Sequence, residues 1–163
     1  MEYFYQTKKR NQRYPIAQIL GRTDFAIFPV AGYLCVGYPD KTALLYFLFF
    51  YPLALSHLGL NDLIDIKNDI AKEMKTVTFL YGIRKTVIWI VVSTLIHFVT
   101  SIILLLNINR ITVYGFVISF ILLSIANYLL LKNPVPEIGL KVLPLYHISM
   151  TIYSISIILG TIL

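Results

Sequence analysis

The 163-residue chain is poor in cysteine, tryptophan and charge. Its one cysteine, Cys35, excludes an intramolecular disulfide and any cysteine-based metal cage, and reads as a small side chain in an apolar run. Charged residues make up 13% of the sequence, about half the share in soluble domains. There is no G-x-x-x-x-G-K-[ST] phosphate loop, no H-E-x-x-H zinc helix and no strong serine-nucleophile pattern. No internal repeat, low-complexity tract or soluble domain stands out. A cleavable signal peptide is not expected. The first apolar run starts near Asp24, behind a basic and aromatic segment, and no small-residue cleavage site follows it.

What the chain has is apolar surface. Hydrophobic residues account for 58%, and the mean hydropathy is +0.75. Soluble domains sit near 45–50% apolar, so the composition is that of a membrane protein. The net charge of +6 does not point to nucleic acid, because the basic residues flank apolar segments as topology determinants do.

The expected fold class is an all-α, multi-pass transmembrane bundle of about five helices. The spans are read as Phe25–Tyr38, Thr42–Leu60, Thr86–Leu106, Thr112–Leu131 and Val142–Leu163. The first is short on strict count. YPDK joins the first two and NINR the third and fourth, so these pairs are antiparallel neighbours. Pro29, Pro52 and Pro144 fall inside spans as kinks. Residues 1–23 form a basic segment, with Tyr14–Arg22 amphipathic at the membrane surface, and residues 24–163 form the transmembrane domain. With the N-terminus in the cytoplasm, basic residues divide 12 inside to 2 outside, Lys41 and Arg110 being the outer pair. This reading predicts a cell-membrane protein whose loop 61–85 faces the cytoplasm.

That loop carries the chemistry. If the second helix continues through it, Asp62, Asp65 and Asp69 fall at i, i+3 and i+7 on one face, with Asn61 beside them and His57 one turn before. Three carboxylates so spaced repel one another and call for a cation. An all-oxygen set with open positions suits Mg²⁺, which takes one or two carboxylates plus phosphate oxygens and water. Lys75, Arg84 and Lys85 follow and could grip the same phosphates, as a diphosphate leaving group requires. The plain alternative is a solvated acidic loop binding cations or a partner. His57 could also bind an acceptor or a proton. His97, His147, Asn107 and Asn127 are read as interhelical hydrogen-bonding groups. The aromatic run Tyr46–Tyr51 reads as packing or as the wall of an apolar channel.

The stretch Asn61-Asp62-x-x-Asp65-x-x-x-Asp69, then Lys75-Thr76-Val77-Thr78 and Tyr81-Gly82, resembles the UbiA superfamily of intramembrane prenyltransferases. LKVLPLYHISMTIYSISIILG is similar to that family's last helix, and GRTDFAIFPVAGYLCVG to the helix before a motif helix. The resemblance implies Mg²⁺-dependent transfer of an isoprenyl group from its diphosphate to an acceptor, in lipid or quinone biosynthesis. It places Mg²⁺ and diphosphate on Asp62, Asp65 and Asp69, with Asn61, Lys75, Arg84 and Tyr81 as substrate contacts. The family usually has about nine helices and two aspartate-rich motifs. The layout here resembles its C-terminal half. A second motif would then come from a missing N-terminal half or a homodimer.

Overall fold

A computed structural model describes residues 2–35 and 37–162. Every regular element among them is an α-helix: α1 (Glu2–Asn11), α2 (Ile16–Gly21), α3 (Thr23–Leu34), α4 (Lys41–Ile64) and α5 (Ile66–Ala71). They are followed by α6 (Val77–Tyr81), α7 (Ile83–Leu105), α8 (Thr112–Lys132) and α9 (Pro136–Ile162). The expected all-α membrane bundle is what forms. Helices α4, α7, α8 and α9 are each long and apolar enough to cross a membrane.

The difference lies in the first expected span. Helix α3 has 12 residues, about 18 Å at 1.5 Å per residue, against a hydrocarbon core of about 30 Å. The described residues thus hold four candidate spans rather than five. Local chemistry explains the shortfall. Arg22, at φ −99° and ψ 5°, separates α3 from α2. At the other end Pro39 disfavours helical geometry at Tyr38, and the Gly37 N–H closes on the Tyr33 carbonyl at 2.9 Å. Asp40 then caps α4, accepting from the N–H groups of Thr42 (2.8 Å) and Ala43 (3.2 Å) and from the Tyr33 hydroxyl (3.1 Å).

Helix α3 runs antiparallel to α4, with Phe25 stacked on His57 and Tyr33 against Tyr46. Helix α4 also packs on α7 and α9, and α8 packs on α7 and α9. Small residues permit the close approaches, as is usual between membrane helices. A Cβ on Gly59 would lie 2.9 Å from Ile90 Cγ1 of α7, and one on Gly115 would lie 2.7 Å from Ser156 Cβ of α9. At the centre Phe49 meets Phe116, Tyr153 and His97, tying α4, α7, α8 and α9 together.

Several polar groups inside the bundle find partners, as an apolar solvent demands, whereas the buried Thr112 and Ser149 hydroxyls have none among the described residues. His97 bonds the Phe49 carbonyl (2.9 Å) and the Tyr153 hydroxyl (3.0 Å). Tyr146 bonds Ser56 at 2.8 Å and donates to Asn127 Oδ1 at 3.3 Å. The expected interhelical roles of His97, His147 and Asn127 therefore hold. Asn107 differs: it lies just past the end of α7, donates to the Ile103 carbonyl of that helix and is exposed.

Candidate functional site: a paired carboxylate at the end of α4

Helix α4 does not continue through the acidic motif. It ends at Ile64, and Asp65, at φ −88° and ψ 8°, is the joint from which α5 departs. The single three-aspartate stripe is therefore not formed. Asp65 is exposed, while Asp62 and Asp69 turn inward and are buried. Their Oδ1 atoms converge on Lys9 of α1, at 3.9 Å for Asp62 and 3.7 Å for Asp69.

The other groups around the pair fix its geometry. Asp62 Oδ2 accepts from the Val77 N–H at 3.2 Å and from Gln18 Nε2 at 3.3 Å. Gln12 holds Gln18 in turn, donating to its Oε1 at 2.7 Å, and also donates to the Lys75 carbonyl at 2.6 Å. The Lys75 N–H donates to the Lys9 carbonyl at 2.7 Å. The N-terminal segment is thus laced to the segment after α5, with the carboxylates between them. Thr76 caps α6 by accepting from the Phe79 N–H, which aims the Val77 N–H at Asp62.

Asp69 carries an unmet demand. Its Oδ2 is buried and has no hydrogen-bond partner among the described residues. Burial pushes its carboxyl above the ordinary carboxylate range, and the Lys9 ammonium pulls part of that back. Asp65 adds a smaller upward push, so it lies near enough to be felt.

The remaining expected site residues are dispersed. Lys75 meets the pair's surroundings through its backbone. Asn61 is half-buried beside Asp62, and its carbonyl accepts the Asp65 N–H. Tyr81 and Arg84 line a separate crevice that includes neither aspartate. His57 lies deeper in the bundle, its Nε2 3.1 Å from His147 Nε2. Sequence reasoning missed Lys9, Gln12 and Gln18, which lie some 44 to 60 residues from the acids in sequence. A lysine and two glutamines in a polar segment carry no local signal of such a contact.

A family model described as the UbiA prenyltransferase family matches residues 1–154. The chain belongs to that family. No curated protein and no solved structure matches it. Membership gives the UbiA chain a prenyltransferase-type function. The match includes α1 and α2, the segment that supplies Lys9, Gln12 and Gln18 to the aspartates.

The family implies a divalent cation, and the residues fit one. Two buried carboxylates already converge on one positive charge, and Asp69 Oδ2 has a vacant acceptor position. Among the described residues no three His, Cys, Asp or Glu side chains converge. Magnesium is commonly held by one or two carboxylates, with water and phosphate filling the rest.

Proposed function

We propose that this UbiA-family chain transfers an isoprenyl group from an isoprenyl diphosphate to an acceptor, with Asp62 and Asp69 as the seat of Mg²⁺. The observation that carries the reading is the convergence of these two carboxylates, one with an unpartnered oxygen, on a single cation position. Magnesium, when bound, supplies the positive charge that a departing diphosphate needs. The chain's own groups do the rest. Gln18 and the Val77 N–H hold Asp62 in place. Lys9, next to both carboxylates, would supply a second positive charge to the diphosphate if the metal displaced it from them.

The tail has a place of its own. An apolar recess of about 630 Å³ lies between α3, α4 and α9, lined by Phe25, Phe28, Tyr46, Phe50, Met150 and Ile157. Phe25 also stacks on His57, so the recess leads toward the inner end of α4. An isoprenoid chain in it would be kept from water. Tyr46 and Phe50 of the aromatic run face this recess, whereas Phe49 packs in the core.

The 12-to-2 division of basic residues supports a cell-membrane location with the N-terminus and the acidic motif in the cytoplasm. Since the sequence holds a single aspartate-rich motif, a second copy of the chain or a separate half would supply further carboxylates. Crosslinking in native membranes tests that arrangement, and full activity in a strict monomer would refute it.

One observation favours a second reading. Lys9 already occupies the point on which both carboxylates converge and offsets one of their two charges, so the site could be a closed ion pair in a non-catalytic relative. Binding of geranylgeranyl diphosphate to the chain in lipid nanodiscs, with and without Mg²⁺, separates the two. Mg²⁺-dependent binding that is lost in Asp62→Ala supports the transferase. Absence of binding at any Mg²⁺ concentration supports the closed site.

A further inference from the structure

The crevice holding Tyr81 and Arg84 is a second site with a chemistry of its own. It has a volume of about 780 Å³ and lies between α5, α6 and the first turn of α7, with neither Asp62 nor Asp69 in its lining. Its apolar wall is made by Ile66, Ile70, Phe79 and Ile83. Ile70 and Phe79 are 57% and 40% exposed, a large apolar exposure beside a polar loop.

The other wall is cationic. Arg84 and Lys85 stand in the first turn of α7, a 23-residue span, and so at the depth of lipid headgroups. That helix begins at Gly82 with no side-chain cap and no acidic residue in its first turn. Its free N–H groups and its dipole therefore favour an anion. An independent observation points the same way. Thr78, only 3% exposed, lines the crevice, and its Oγ1 has no hydrogen-bond partner among the described residues. A buried hydroxyl without a partner is costly, and an acceptor oxygen from a ligand would relieve that cost.

We propose that this crevice binds an anionic phospholipid of the membrane leaflet on the side of the acidic motif. The phosphate sits between Arg84, Lys85 and the start of α7 and accepts from Thr78. The upper part of an acyl chain lies along Ile66, Ile70 and Phe79. Charge complementarity selects the occupant: two basic side chains and a helix N-terminus reject a zwitterion's choline and accept a net negative headgroup. The position at a span's first turn selects a lipid over a soluble phosphate.

The test is native mass spectrometry of the full chain in detergent, titrated with dioleoyl phosphatidylglycerol or dioleoyl phosphatidylcholine, without Mg²⁺ or diphosphate. Selective retention of phosphatidylglycerol is expected. Arg84→Gln with Lys85→Gln should weaken it about thirty-fold, the effect of losing two basic groups at a membrane surface. Arg84→Lys with Lys85→Arg should restore it, which separates charge from folding. Thr78→Val should weaken it several-fold. Equal retention of both lipids, or no change in the glutamine variant, overturns the proposal. So does displacement of the lipid by pyrophosphate with Mg²⁺, which would make the crevice a substrate site. The lipid titration itself contains no metal, and Mg²⁺ enters only in the separate pyrophosphate competition, so failure of selective lipid retention leaves the Asp62–Asp69 reading untouched.

Discussion

Replacing Lys9 by methionine tests the electrostatics of the site. Lys9 is the ammonium shared by two buried carboxylates, at 3.9 and 3.7 Å, and its side chain is 12% exposed. Removing one partner of a buried ion pair costs about 3–5 kcal/mol, because the charge left behind is uncompensated. The long separations and residual exposure put this case near the lower end, about 3 kcal/mol. For a chain of this size that is a fall in melting temperature of roughly 6–12 °C. The same loss should be recoverable. A cation binding only the folded state stabilises by about 2.7 kcal/mol at one hundred times its Kd. Mg²⁺ should therefore return nearly all of the stability of Lys9→Met, and should stabilise the wild type less, since there it must displace Lys9. Tryptophan fluorescence melting in nanodiscs across a Mg²⁺ titration reads both effects. An unchanged melting temperature, or a lowered one that Mg²⁺ fails to restore, would refute the idea that Lys9 holds the place of the metal.

Three further outcomes follow from the same geometry. The folded-state pKa of Asp69 is raised by burial, so its contribution to stability should decline as pH rises from the unfolded value of 3.8 through the folded one, and Mg²⁺ binding should strengthen over that window; a pH-independent Mg²⁺ affinity measured by titration calorimetry there would contradict this. Gly82→Ala should lower stability by about 1–3 kcal/mol, because φ +81° with ψ 166° is a region nearly restricted to glycine; thermal melting checks it, and a neutral effect would mean the α6–α7 turn relaxes. Gly115→Val should cost about 1–3 kcal/mol by forcing α8 away from α9, and Ser156→Gly in the same chain should recover part of it; absence of coupling in that double-mutant cycle would contradict the close packing.

Much of the architecture was legible because a membrane leaves few choices. Four of the five expected spans appear with ends shifted by a few residues, since a long apolar run in lipid must be helical. The span expected at residues 25–38, already short on strict count, falls further short because α3 stops at Leu34, ahead of Gly37 and Pro39, and because Arg22 separates it from α2. The acidic motif was visible from spacing alone, but its geometry was not. A helix drawn straight through Asp65 predicts one stripe of three, and the turn at Asp65 leaves a buried pair with one aspartate outside. The spacing of the acids pointed to Mg²⁺ as their offsetting charge, with Lys75 and Arg84 gripping phosphates, and left the protein's own counter-charge unseen. It came from Lys9, through a contact that only the tertiary fold creates. Arg84 and Lys85 share the acidic loop with Lys75, yet the break at Gly82 sends them to another face.

The most direct test of the account is electron paramagnetic resonance of Mn²⁺, standing in for Mg²⁺, titrated into the chain in nanodiscs with geranylgeranyl diphosphate. Bound Mn²⁺ lost in both Asp62→Asn and Asp69→Asn, but kept in Asp65→Asn, is the predicted result. Mn²⁺ bound equally by all three variants, or lost most in Asp65→Asn, would contradict a metal seat built by the buried pair.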